Sequence, residues 1–281
     1  MKVKKSWLNN KNVIVTGAGS GIGKELALIL SQKYACNVLA IGRGEENLQA
    51  LCKQQDKIIY KCADVSTQKG WEEIKEFCTQ KNFEVDVIIN NAGVIHSFKK
   101  LIYLEEKEIN KVIDTDYKSI IYSFKTFYEQ LKNSKRAGFI TISSASAYLP
   151  IAGNTIYSSV KSASLAITEA IRQEVMKDNI YVGAVMPGPV ITDLYEPDDD
   201  ETQPKAGRDV SAVGLLASKA GIRIAKNIAK KIPLINIDGT AKLMKFMRKI
   251  APVKTTSLWG KLMRKANRPT FNSVFEDENQ D

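Results

Sequence analysis

Through the first 190 residues, short apolar runs alternate with stretches whose apolar positions recur every three or four residues. The runs at 13–16, 37–41, 57–62, 85–90, 139–143 and 180–186 have the length of buried strands. Between them, Ile22, Leu26, Ile29 and Leu30 share one helical face, and helical spacing recurs at 45–54, 71–79 and 155–177. The segment 105–131 accommodates one or two helices. Strands separated by helices predict an α/β protein with a parallel sheet covered on both faces. The right-handed crossover rule then leaves a doubly wound sheet as the natural topology. No internal repeat or low-complexity linker interrupts the pattern.

After Pro187-Gly-Pro189 the texture changes. Residues 194–210 read as a polar loop around Asp198-Asp-Asp200, 218–231 as a basic helix, and 233–237 as a last short strand. Two short amphipathic helices are expected at 242–250 and 258–266. The chain therefore divides into one large domain, 1–239, and a basic helical C-terminal extension, 240–281.

Composition narrows the field. At 281 residues, 44% hydrophobic and 26% charged, the chain is neither disordered nor fibrous. The net charge of +10 is unevenly placed: residues 1–200 carry 25 basic and 24 acidic side chains, whereas 201–270 carry 16 and 3. A near-neutral body with a basic appendage argues against a nucleic-acid-binding protein, as does the lack of a binding motif. The 24-residue run without charge, 137–160, holds eleven Ser, Thr, Asn, Gly or Pro residues and is too polar for a bilayer span. The basic start lacks the apolar run of a signal peptide. Cys36, Cys52, Cys62 and Cys78 form no CxxC pair and read as reduced, mostly buried thiols of a cytoplasmic protein. The single histidine, His96, suggests no zinc site, and a structural or loop role is expected for it. A Ser-His-Asp or Cys-His hydrolase is excluded unless His96 serves it.

Candidate chemistry starts at Thr16-Gly-Ala-Gly-Ser-Gly-Ile-Gly23, between a strand and a helix. Glycines there let the backbone approach a pyrophosphate, and free N–H groups at the helix start meet its charge. The alternative is a tight turn without a ligand. The second strand ends in Gly42-Arg43 rather than in a carboxylate suited to ribose hydroxyls. An arginine there can meet the 2′-phosphate of NADP, so NADP(H) is expected and NAD(H) is the second choice. Alternatively Arg43 covers adenine or points to solvent.

Tyr157 and Lys161 stand at i and i+4, neighbours on one helical face. A cation about 5 Å from a phenol, at an effective dielectric near 20, contributes roughly 3 kcal/mol, or about two pKa units. From an ordinary value of about 10, that makes Tyr157 a usable general acid or base. Alone, the pair equally describes a surface helix.

In combination these residues resemble the short-chain dehydrogenase/reductase family. Residues 16–23 match its TGxxxGIG loop, Asn90-Asn-Ala-Gly93 its NNAG segment, and Asp64-Val65 its adenine-contacting pair. Ser144 lies 13 residues before Tyr157, and Pro187-Gly188 is followed by Thr192, as in that family. The resemblance covers about residues 8–195. It implies a Rossmann-like domain that moves hydride between a nicotinamide dinucleotide and a carbonyl or alcohol. Tyr157 then exchanges the proton, Lys161 binds the nicotinamide ribose, and Ser144 holds the substrate oxygen, with Ser143 and Ser146 as competitors for that role. Gly17, Ser20, Gly21, Ile22, Gly23, Arg43, Asp64, Val65, Asn91 and Thr192 would contact the cofactor. One position departs from the family: the asparagine expected 28 residues before the serine is Asp116. Ionised aspartate only accepts hydrogen bonds and opposes the effect of Lys161 on Tyr157. The departure keeps a non-catalytic NADP-sensing or partner-binding protein as the alternative.

Substrate walls are expected from 94–103, 145–156 and 194–235, where Phe98, Leu101, Tyr148, Leu149, Ile151 and Leu194 suggest an apolar substrate or simply packing. Family analogy implies a homodimer or homotetramer through the helices at 105–131 and 155–177. In the extension, Leu243, Phe246, Met247 and Ile250 share one helical face; Leu258, Trp259, Leu262 and Met263 repeat the pattern. Three readings compete for these faces: packing on the body or a second subunit, a cap over the pocket, or peripheral docking of 240–266 on an anionic membrane.

Overall fold

Side chains alternate about a strand, so a strand apolar at every position must be buried on both sides. β1 (Asn12–Thr16) shows this directly: Val13 and Val15 enter one hydrophobic core while Ile14 enters the other. β2 (Asn37–Gly42) and β4 (Val87–Asn90) divide their side chains in the same way. The computed structural model describes residues 6–195, 214–266 and 274–275. Its main sheet also contains β3 (Ile58–Cys62), β5 (Ala137–Ile142), β6 (Ile180–Met186) and, at the far edge, β9 (Leu234–Asn236). All seven strands are parallel, in the order β3-β2-β1-β4-β5-β6-β9. A separate parallel pair, β7 (Val190–Ile191) with β8 (Leu215–Leu216), was not visible in the sequence pattern.

One face of the sheet is covered by α1 (Gly21–Tyr34), α2 (Glu45–Cys52) and α7 (Ala217–Ile228), which bury Leu26, Leu30, Leu48, Ala220 and Ile224. The other face carries α3 (Gln68–Gln80), α5 (Ser119–Asn133) and α6 (Thr155–Glu174), with Trp71, Ile74, Phe127 and Ile171 inward. This is the expected doubly wound, Rossmann-like arrangement. The 105–131 segment resolves into α4 (Glu106–Ile113) and α5, joined through a π-helical turn, Asp114–Lys118. The 24-residue uncharged run is β5 followed by a loop and the start of α6. Among the described residues no helix is long and apolar enough to cross a membrane.

The four cysteines are free; Cys36 and Cys78 are buried, while Cys52 and Cys62 are half-buried. Burial pushes the Cys36 and Cys78 thiols up to about 12, which makes them inert at neutral pH.

The extension departs from expectation. α8 (Gly239–Ile250) packs on Tyr148, Leu149 and Met186 through Ala241 and Met244, not through the face of Leu243, Phe246 and Ile250. α9 (Pro252–Ala266) starts six residues earlier than expected, with proline at its first position. Proline suits that position because the first helical N–H has no intrahelical acceptor. Residues 196–213, most of the expected polar loop, lie outside the described residues. Asp238 anchors the extension: Oδ1 accepts from Ala241 N (2.8 Å), capping α8, and Oδ2 accepts from Gly188 N (2.8 Å). A Cβ at position 188 would sit 2.7 Å from the same carboxylate, so only glycine fits there. Asp238→Ala removes both acceptors and is expected to cost about 2 kcal/mol. Urea unfolding checks this, as a lowered midpoint with an unchanged slope.

Candidate active site

The sheet order reverses between β1 and β4, and the crevice outside their carboxyl ends is where doubly wound folds receive ligands. The two strand ends are clasped together. Thr16 Oγ1 accepts from the N–H groups of Asn91 and Ala92 (both 2.9 Å), and Asn91 Nδ2 donates to Thr16 O (2.9 Å). The chain then turns through Gly17 (φ +63°) and Gly21 (φ +49°), conformations that favour glycine. At the start of α1, Ser20 is extended and its side chain makes no capping bond. The first N–H groups of α1 thus keep their positive end for an anion at the crevice.

On the opposite wall, α6 brings Tyr157 and Lys161 beside Ser144, which follows β5. Ser144 Oγ accepts from Ser146 N (3.1 Å) and acts electrostatically on the Tyr157 phenol. Ser143 does not compete, because its hydroxyl donates to Lys161 O (2.7 Å) in the interior. Ser146 is also buried and lies outside the cavity lining. Lys161 is 4% exposed, and its Nζ donates to Ile142 O (3.2 Å) and lies 5.4 Å from the Tyr157 ring centre.

Asp116, in the π-helical turn, is 2% exposed and closes the group. Its Oδ2 lies 2.9 Å from Lys161 Nζ, and its Oδ1 accepts from Val94 N (2.7 Å). Burial pushes the Asp116 carboxyl up, against the pull of Lys161 and the Val94 N–H. The expected lowering of Tyr157 by Lys161 is overturned. Burial, then the Asp116 charge, raise the phenol above its ordinary value, and the Ser144 hydroxyl only partly opposes them. Burial is the larger cause, and the 2.9 Å ion pair adds to it by offering the phenol a dipole in place of a bare cation.

These groups border one cavity of about 860 Å³. Of the site residues singled out from sequence, Gly17, Ser20, Gly21, Ile22, Arg43, Asn91, Asp116, Ser143, Ser144, Tyr157, Lys161 and Thr192 line it. Gly23, Asp64 and Val65 do not: Asp64 is exposed and accepts from Ser66, and Val65 is buried with its carbonyl on Trp71 Nε1. No residue of 145–156 lines the cavity; Tyr148 and Leu149 are core against α8. Nor does any residue of 214–266, so the described part of the extension does not cap the cavity.

Of the expected 94–103 wall, residues 94–99 line the cavity; sequence reasoning missed the part that Glu105 and α4 add to it through Lys107, Glu108 and Lys111. Lys99 pairs with Glu108 (2.8 Å), and Ser97 Oγ donates to the same carboxylate (2.5 Å). Burial acts to raise Glu108, but Lys99, Ser97 and the Glu105 N–H outweigh it and hold the carboxylate at about 2. His96 lines the cavity as well, its Nδ1 bonded to Ser97 O (2.7 Å) and its ring kept neutral by burial. Its other ring nitrogen, Nε2, has no hydrogen-bond partner among the described residues, so nothing supports the hydrolase reading. The capping box of Glu105 and Glu108 was the one local signal for this wall.

Comparison with known proteins follows the same lines. The family model described as short chain dehydrogenase matches residues 11–203. An oxidoreductase of Staphylococcus aureus (strain MW2) is 33% identical over 197 residues, covering 68% of this chain and 84% of that protein. A 3-oxoacyl-[acyl-carrier-protein] reductase of Buchnera aphidicola is 32% identical over 198 residues, covering 69% of this chain and 77% of that protein. A short chain dehydrogenase/reductase from Burkholderia phymatum, solved in complex with NAD, superposes with a TM-score of 0.80 at 17% identity. That match covers 89% of this chain and 97% of the other. With its sheet order, glycine turn and matching core accounted for, the chain belongs to the short-chain dehydrogenase family of oxidoreductases.

Proposed function

We propose that this protein is an NADP(H)-dependent oxidoreductase acting on a small-molecule carbonyl/alcohol pair. The observation that carries the reading is the meeting of Ser144, Tyr157 and Lys161 with the glycine turn around one cavity. A dinucleotide fits what is there: left-handed glycines, an uncapped helix start and a cavity large enough for it. Gly17, Gly21 and the first turn of α1 hold the pyrophosphate, and Lys161 and Asn91 border the nicotinamide ribose. When bound, the nicotinamide supplies or accepts the hydride. Ser144 donates to the substrate oxygen and stabilises the charge that develops there. Tyr157 gives that oxygen its proton in reduction and removes it in oxidation. Because burial and Asp116 keep the phenol protonated, the site is better suited to carbonyl reduction than to alcohol oxidation near neutrality.

NADP(H) is favoured over NAD(H) by Arg43, which is exposed on the cavity rim at the end of β2. The nearby carboxylate of Glu45 is engaged by Tyr60 and Gln49. The substrate has an apolar portion, since Val94, Ile95, Phe98, Val190 and Leu194 share the cavity with the charged α4 wall. The name of the Buchnera relative, a 3-oxoacyl reductase, agrees with a carbonyl substrate. The protein assembles as a homodimer or homotetramer through α4–α5 and α6, and its free thiols suit the cytoplasm. Asp116 does not favour the non-catalytic alternative, since it retains the contacts to Val94 N and Lys161 that hold the site together.

Three measurements test this. Tyr157→Phe lowers kcat by about a hundredfold or more while NADPH affinity, followed by fluorescence titration, is unchanged. Arg43→Ala raises KM for NADPH by about tenfold or more and leaves KM for NADH nearly as it was. Asp116→Asn removes a charge that raises the Tyr157 pKa, so phenolate forms at lower pH. The alkaline limb of the reduction profile then moves down by on the order of one pH unit, and oxidation gains at the same pH.

A further inference from the structure

On α8 the apolar residues fall into two opposed arcs. Ala241 and Met244 are buried on the body, whereas Leu243, Phe246 and Ile250 stand 57%, 61% and 65% exposed. At i, i+3 and i+7 the exposed three lie within about 60° of one another, on the side turned away from the body. Lys242, Lys245 and Lys249 form the adjoining arc. α9 continues the surface with Lys254, Lys261 and Lys265 outward and half-exposed Leu258 and Leu262 beside them. Residues 239–266 hold eight Lys or Arg and no Asp or Glu, and none of the eight pairs with a carboxylate among the described residues.

Large apolar side chains held in water next to unpaired cations call for an occupant that is both apolar and anionic. We propose that α8 and α9 dock this protein on the surface of an anionic phospholipid bilayer, with Leu243, Phe246 and Ile250 entering the acyl boundary and the lysines reaching the headgroups. The helices lie in the interface and do not cross it, consistent with their length and charge. A second copy of the chain is the weaker occupant. A two-fold contact places the same patch on both sides, so eight cations would face eight. The reading does not rest on the catalytic assignment, because no residue of 239–266 borders the cavity.

The test is flotation of the full chain with vesicles of phosphatidylcholine alone and of phosphatidylcholine mixed with phosphatidylglycerol. The expected result is recovery with the mixed vesicles only, weakened about tenfold or more as salt rises from about 0.1 M to about 0.5 M. Phe246→Asp with Ile250→Asp, and separately Lys242→Glu with Lys245→Glu and Lys249→Glu, each lower the vesicle-bound fraction at least about tenfold. Both variants alter only outward side chains; unchanged circular dichroism and unfolding midpoint verify that they remain folded. Equal flotation with and without anionic lipid overturns the proposal, as does undiminished binding of the Asp variant. So does sedimentation showing a wild-type oligomer that the Asp variant splits, because the face is then a subunit contact.

Discussion

Two opposite charges taken out of water, Lys161 and Asp116, organise the centre of this molecule. Each would cost several kcal/mol to bury alone. Their 2.9 Å contact offsets that cost, together with the Ile142 carbonyl on the lysine and the Val94 N–H on the aspartate. Four separate stretches of chain are thereby tied together: the end of β5, the first half of α6, the π-helical turn, and the segment after β4. Gly93 completes the arrangement, since a Cβ there would lie 2.9 Å from Asp116 Oδ2 and 3.2 Å from Lys161 Nζ. The same pair sets the electrostatics beside it. A phenol next to a neutralised ammonium, in a buried site, keeps its proton.

The sheet brings these parts into one place. With the strand order turning back between β1 and β4, the loops after both strands open outward at the same edge. The Thr16–Asn91 clasp holds those loops together, so the glycine turn and the ion pair are presented across one crevice. A helix start left without a side-chain cap would be a defect in most contexts. Here it faces the crevice.

The fold was readable from sequence because its strands are apolar on both faces and its helices are not, so the period changes sharply at each boundary. The glycine turn and the Tyr157–Lys161 pair were readable because their chemistry follows from residue type at short spacing, whereas Ser144 was singled out only through the family resemblance. What escaped depends on distance in the chain. The Ser97–Lys99–Glu108 network joins a loop to a helix, and only the capping box betrayed it. The sign of the Tyr157 shift depended first on how deeply α6 buries the phenol and then on Asp116, forty-one positions away in sequence, lying against Lys161. On α8 the helical period revealed apolar residues without saying which arc packs. The small pair, Ala241 and Met244, meets the body, and the larger three do not.

One carboxylate gives the C-terminal extension a bearing on the crevice that its distance would not suggest. Asp238 grips the backbone of Gly188, itself part of the cavity wall, with one oxygen and the first turn of α8 with the other. Whatever pulls on the appended helices therefore pulls, through this one carboxylate, on the rim of the reaction chamber. The tail is a strut, not an ornament.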